Sequence, residues 1–327
     1  PHSPRRKAFR QPPAKAPALL PKASPGGKLF ISRTVSRNKV LDFDANSLPL
    51  YGFLGKVVVM ARKRVLFISQ EIVPYLPESE MAHIGRYLPQ GIQERGKEIR
   101  TFMPRYGNIN ERRNQLHEVI RLSGMNLIIN DADHPLIIKV ASIQSARMQV
   151  YFIDNEDYFQ RKHVLYDGDG LFFNDNDERS IFFVRGVFET VRKLRWAPDL
   201  IYCQGWFSAL APLYLKKEYY DDPVFSKAKV VYSTYNDKFE GQLDKNFATK
   251  AITEGVTRKD VAVLKEPTHT NINKLAFQFA DGVIFNHKDV DDELRSFASD
   301  LKKPTLEYPG DDTYIDAYSD FFDKIIG

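Results

Sequence analysis

The chain has 327 residues, 43% hydrophobic, 13% aromatic and 27% charged, which supplies apolar side chains enough for a full core. No run of about 18 apolar residues exists, which excludes a transmembrane helix. The single cysteine, Cys203, excludes an intrachain disulfide framework and a Cys/His zinc cluster around it, so a cytoplasmic protein is the expectation.

The formal charge of +5 is unevenly spread. Residues 1–59 hold eleven Lys/Arg against Asp42 and Asp44, a net +9, so the remainder carries −4. The basic balance belongs to the tail and does not mark the body as a nucleic-acid binder. Residues 1–27 contain seven prolines with Arg5, Arg6, Lys7, Arg10, Lys15 and Lys22 between them, a composition that cannot bury enough apolar surface to offset chain entropy. Residues 1–59 read as a disordered basic arm or an Arg-rich transit segment. The favoured expectation is that the native protein starts at Met60, ahead of a single domain over 60–327.

In chain order, Arg64–Ser69 is a short apolar run suited to a strand buried on both faces. After a loop with Pro74 and Pro77, Met81, Ile84, Leu88 and Ile92 lie on one helical face, and Glu98–Met103 reads as a second strand. Strand-type runs at His117–Leu122, Met125–Ile129 and Leu136–Ala141 suggest an inserted hairpin, followed by Gln149–Ile153. The Asp/Gly-rich stretch from Tyr166 to Asp177 reads as a solvated loop, because Leu171 stands where a calcium loop needs an oxygen ligand. A long helix then carries Ile181, Val184, Phe188 and Val191. From there the alternation is regular: strand Asp199–Cys203, helix Phe207–Tyr219, strand Lys229–Ser233, helix Asn271–Ala280, strand Gly282–Phe285, helix Asp289–Phe297, strand Thr305–Tyr308 and helix Thr313–Ile326. Such alternation predicts an α/β fold with a doubly wound, mainly parallel, Rossmann-like sheet. Ligands in such sheets bind beyond the carboxyl ends of the strands, which selects the loops after Ser69, Cys203, Ser233 and Phe285.

Read in order, those loops resemble the N-terminal domain of glycogen and starch synthases. The segments that carry the likeness are FISQEIVPYLPESEMAHIGRYLPQGIQERGKEIRTFMPRYG (67–107), VYFIDNEDYFQR (150–161), LYDGDGLFFNDNDERSIFF (165–183), APDLIYCQGWFSALAPLYLK (197–216), KVVYSTYNDKFEGQ (229–242) and FADGVIFN (279–286). The resemblance runs from about Arg64 to Leu294 and is similar to short bacterial members that hold this half alone. It implies the first half of a two-domain GT-B glycosyltransferase, in which ADP-glucose binds between two halves and its glucose passes with retention to an α-1,4-glucan. The chain leaves no length for a second half, so the expectation is a second subunit or a second copy supplying it.

At the loops the chain departs from the family. The family's Lys-Thr-Gly-Gly-Leu, whose lysine and bare backbone meet the donor diphosphate, is matched by Pro77, Glu78, Ser79, Glu80 and Met81, and the acid that follows by His83. Its His-x-His-Asp-Trp is Tyr202, Cys203, Gln204, Gly205 and Trp206, and its Thr-x-His-Asn is Ser233, Thr234, Tyr235 and Asn236, with Gly241 retained. Two carboxylates repel a diphosphate, whereas amides, phenols and ring faces suit a sugar. The ligand-binding candidates are therefore Glu71, Gln204, Trp206, Tyr235, Asn236 and Gly241, with Trp206 either a stacking platform or a core aromatic. No catalytic residue, metal or cofactor is assigned. His83 reads as a surface histidine, the other histidines as scattered singly, and Cys203 as inert packing. Two functions follow: a glucosyltransferase domain weakly active or inactive alone, with α-glucan and ADP-glucose as its ligands, or a non-catalytic relative that binds a glucan or a protein.

Overall fold

The computed structural model describes residues 62–310 and 312–327; the tail, and with it every expectation about residues 1–59, lies outside the described residues. The body opens with β1 (Arg64–Ser69), α1 (Glu80–Glu94) and β2 (Glu98–Pro104). An insertion follows, made of α2 (Glu111–Asn114), β3 (His117–Glu118), β4 (Met125–Ile129) and β5 (Ala132–Ile143), which feeds β6 (Met148–Asp154), α3 (Glu156–Phe159) and α4 (Asn176–Leu194). The second half runs β7 (Leu200–Gln204), α5 (Ala211–Lys217), β8 (Lys229–Thr234), α6 (Phe247–Lys250), α7 (His269–Phe279), β9 (Gly282–Phe285), α8 (Asp292–Asp300), β10 (Thr305–Leu306) and α9 (Tyr314–Ile326).

The described strands form one sheet in the order β10-β9-β8-β7-β1-β2-β6-β5-β3, with β4 paired to β5. From β10 to β6 every pairing is parallel; β5 runs antiparallel to β6, and β3 and β4 antiparallel to β5. The sequence advances from β1 toward β2 on one side and from β7 toward β10 on the other. The order therefore reverses between β1 and β7, which are in register at Ile68↔Cys203 and Ser69↔Gln204. A reversal of this kind opens a crevice beyond the strands' carboxyl ends.

Successive strand residues point to opposite faces, and here each face has its own core. Val65, Phe67, Leu200, Tyr202, Val231 and Ile284 face α1 and α9, packing with Leu88, Ile92, Tyr318 and Phe322. Leu66, Ile68, Ile201, Cys203, Val230 and Val283 face the other layer, with Val184, Phe188, Leu213 and Leu275. Each such fully buried side chain contributes about 1.5–3 kcal/mol. The doubly wound α/β expectation holds, and Ile181, Val184, Phe188 and Val191 are all fully buried.

Boundaries differ where chain chemistry intervenes. The strand expected over His117–Leu122 stops at Glu118, because Leu122 and Ser123 turn back to bond the Val119 carbonyl. The helix expected from Phe207 is a short 3₁₀ turn over Trp206–Ser208 followed by Ala211–Lys217. The strand expected to reach Tyr308 ends at Leu306, and the helix expected from Asp289 starts at Asp292.

Candidate functional site

Four loops meet at the carboxyl edge, following β1, β7, β8 and β9, as their register requires. The loop from Gln70 to Ser79 ends by capping α1. Ser79 Oγ accepts from the Ala82 N–H at 3.0 Å and donates to Glu71 Oε2 at 2.7 Å. Burial raises the Glu71 pKa and nearby Asp237 adds to the rise, while the Ser79 bond offsets part of it. A helix amino terminus attracts anions through its exposed N–H groups and dipole. Here its own serine and a carboxylate behind it fill that role, and Glu80 stands in its first turn. The loop is pressed close on the helix: a Cβ at Gly85 would lie 2.3 Å from the Glu71 carbonyl oxygen.

Below this terminus lies a buried polar network. Gln204 Nε2 donates to the Met81 carbonyl at 2.7 Å and to the Tyr235 hydroxyl at 3.0 Å, and the Tyr235 and Tyr202 hydroxyls are 3.0 Å apart. Tyr318, from α9, donates to Asn286, whose Nδ2 reaches Glu80 Oε1 at 3.1 Å. Burial pushes the Tyr202, Tyr235 and Tyr318 phenols well above their ordinary range. In that environment they are neutral hydrogen-bonding groups.

The turn after β7 is held from a neighbouring loop. Gly205 adopts φ +77, and a Cβ there would sit 2.8–3.1 Å from Met81, Asp237 and Gln70, so only glycine fits. The Asp237 Oδ2 accepts from the Trp206 N–H at 3.0 Å, its Oδ1 is 3.0 Å from His269 Nε2, and Gln70 Oε1 accepts from the Phe207 N–H at 3.3 Å.

These contacts correct several expectations. Trp206 is 1% exposed, its ring 4.9 Å from Phe239, 5.2 Å from Phe207 and 6.1 Å from Phe172. It is a core aromatic, because the loop after β8 folds Phe239 over it. Gln204 and Tyr235 are likewise buried and spent on each other. They shape the floor of the crevice; Gln204 Oε1 has no hydrogen-bond partner among the described residues, and Tyr235 lines a small recess with Asn236 and His287. Of the sequence candidates, Glu71 is half-buried, and Asn236 and Gly241 are exposed on the β8 loop. His269 is not isolated, being paired with Asp237. His83 is exposed, 3.8 Å from Glu78, and its ring is tilted 40° against Tyr87 with ring centroids 4.4 Å apart. Cys203 is fully buried, and burial pushes its thiol far up.

The open part of the edge is a cavity of about 400 Å³ lined by Glu78, Ser79, Glu80, His83, Asn286, Tyr308 and Tyr314, among others. Among the described residues its lining includes two carboxylates and neither Lys nor Arg. An adjoining cavity of about 330 Å³ shares Glu80 and Tyr308 and adds Lys288 beside Asp289. Sequence reasoning missed Asp237, Asn286, Tyr308 and Tyr314. Asn286 directly follows a strand already marked as ligand-bearing, so its position was a usable signal. Tyr308 lies just beyond β10, parallel to β9, and so carried the same signal, whereas Tyr314 reaches this edge only through the packing of α9.

A profile of the starch synthase catalytic domain matches residues 64–303. A glycogen synthase of Chlorobium limicola is 38% identical over 201 residues, covering 61% of this chain and 41% of that protein. A second, from Chlorobaculum tepidum, is 39% identical over 183 residues, covering 54% and 37%. The chain thus spans about two-fifths of the length of these curated relatives. The catalytic domain of starch synthase IV from Arabidopsis thaliana, solved bound to ADP and acarbose, matches with a TM-score of 0.60 at 16% identity, over 78% of this chain and 53% of that one. At that identity the shared property is the fold.

Proposed function

The chain belongs to the starch synthase catalytic domain family, and from that premise we propose that its carboxyl-edge cleft takes an uncharged α-glucan in preference to a nucleotide diphosphate. On the same reading the chain by itself transfers glucose from ADP-glucose negligibly. The observation that carries this is the amino terminus of α1. Its N–H groups and dipole are the natural seat for a diphosphate, yet Ser79 caps it, Glu71 backs the cap, and Glu78 and Glu80 line the cavity in front. Each carboxylate repels an incoming phosphate. Stabilising a leaving diphosphate takes cations or N–H donors aimed at it, and among the described residues the cavity lining includes no Lys or Arg. Sugar hydroxyls gain from the same groups: they donate hydrogen bonds to the Glu78 and Glu80 carboxylates, and the cavity is of ligand size.

The ADP and acarbose bound by the Arabidopsis domain define the two ligand classes to separate. Titrating the full chain with a maltooligosaccharide and, separately, with ADP, followed by amide chemical shifts, is expected to give saturable glucan binding and ADP binding at least about tenfold weaker, a difference of about 1.4 kcal/mol. Incorporation of labelled glucose from ADP-glucose into glycogen is expected at background. Tighter ADP than glucan binding, or robust transfer, overturns the reading. No response to either ligand overturns it in favour of a protein-binding role.

A further inference from the structure

A second cavity, of about 540 Å³, lies at the opposite, amino edge of the sheet. It sits where β2 and β6 begin and β5 ends, so six residues of β1 at roughly 3.3 Å each put it on the order of 20 Å from the carboxyl edge. Its lining includes four cations, Arg62, Lys97, Arg100 and Arg147, and one acid, Glu98. The acid is already spent: Arg64 Nε donates to its Oε2 at 3.0 Å and Trp196 Nε1 to its Oε1. Burial opposes its ionisation, but the Trp196 and Arg64 bonds and the charges of Arg64 and Arg100 outweigh that and hold its pKa low. Lys97 is spent as well, on Asp323 at 2.9 Å and Ser319 at 3.3 Å.

Three guanidinium groups remain. Arg100 is pre-set: its Nη1 donates to the Tyr151 hydroxyl at 2.7 Å, and its guanidinium lies 5.2 Å from the Trp196 ring centroid. The Arg62 and Arg147 side chains have no hydrogen bond or ion pair among the described residues, and both residues are exposed. Arg147 reaches the cavity from a turn at φ +50, a backbone conformation that costs a non-glycine residue. Between these cations the wall carries the amides of Gln93, Gln144 and Gln149. A concave site with three guanidinium forks and no uncompensated acid matches a phosphate, which such forks bind bidentately. Amides beside it match vicinal hydroxyls.

We infer that this amino-edge cavity binds a small phosphate ester, specifically a phosphorylated monosaccharide, with Arg62, Arg100 and Arg147 on the phosphate and the glutamine amides on the sugar. The inference does not depend on what the carboxyl edge binds. Trp196, beneath Arg100, is a built-in reporter.

The test titrates the full chain with glucose 6-phosphate, inorganic phosphate and glucose, following tryptophan emission and heat of binding, with sodium chloride added to match ionic strength. Glucose 6-phosphate is expected to bind saturably, inorganic phosphate about tenfold or more weaker, and glucose not measurably. Arg62→Gln and Arg147→Gln, at exposed positions without partners, are expected to keep the wild-type melting temperature and each to weaken binding by about tenfold, the loss of one charge-assisted hydrogen-bond pair. The inference is overturned by an absence of saturable binding, by a response that sodium chloride reproduces, or by unchanged affinity in both variants. Inorganic phosphate binding as tightly as the ester overturns the sugar assignment.

Discussion

The replacement of Trp206 separates a packing residue from a binding platform. The indole is 1% exposed among Phe172, Phe207 and Phe239, and its Nε1 has no hydrogen-bond partner. Trp206→Ala removes the whole ring from a close-packed site, at a cost of about 3–5 kcal/mol, a large share of the roughly 5–15 kcal/mol that holds a domain folded. Trp206→Phe behaves differently. It leaves a small cavity, worth about 1 kcal/mol at 24 cal/mol per Å³, but also removes a buried donor whose lack of a partner costs about 1–3 kcal/mol. The two effects oppose, and the variant is expected within about 1.5 kcal/mol of wild type. Urea unfolding followed by far-ultraviolet circular dichroism, with the slope m compared across variants, gives both values. Glucan affinity of the Phe variant is expected to stay within about twofold. Were Trp206→Ala to cost under about 1 kcal/mol and glucan affinity to fall more than about tenfold, the ring would face a ligand and the burial argument would fail.

Three further outcomes are expected. Glu78→Gln with Glu80→Gln removes two charges facing α1's terminus, so ADP affinity is expected to rise about three- to tenfold at low salt and less at high salt; calorimetry showing no rise would mean that charge does not exclude the nucleotide. Gly85→Ala pushes a Cβ into the Glu71 carbonyl, and is expected to cost about 1–3 kcal/mol with displaced amide resonances for residues 70–79; a neutral result would show that the loop gives way freely. The third concerns Asp177, which burial raises to a pKa of about 6 despite the bond to Lys250 at 2.8 Å. Its folded pKa exceeds the ordinary 3.8, so the folded state holds the proton more tightly. The stability this contributes is present below about pH 4 and lost as pH rises through about 6, at most about 3 kcal/mol. Asp177→Asn removes that dependence, so its stability relative to wild type is expected to improve between pH 4 and 6.5 in urea melts; a difference constant with pH refutes the assignment.

The sequence by itself determined the layered fold and which loops share the carboxyl edge of the sheet. The strand runs around Val65–Ile68, Leu200–Cys203 and Val230–Tyr232 are apolar throughout because both sheet faces are covered, and the helical spacing of Met81, Ile84, Leu88 and Ile92 follows from burying one stripe. Both are local periodicities, readable within a dozen residues. The charge change at the first loop was equally legible, since Glu78 and Glu80 are what they are wherever the chain places them. Tertiary structure alone decided which candidates face outward. Trp206 became core because Phe239, thirty-three positions on, closes over it, and Gln204 and Tyr235 were consumed by each other across two strands. The same holds for Asp237 on the Trp206 N–H, for Tyr314 at the cleft, and for Arg62, Arg100 and Arg147 around one cavity. Residue type and periodicity state what a side chain can do and which face it takes. Whether a polar or aromatic group at a loop is satisfied internally depends on partners that arrive from distant segments, and their arrival is set by how the layers close.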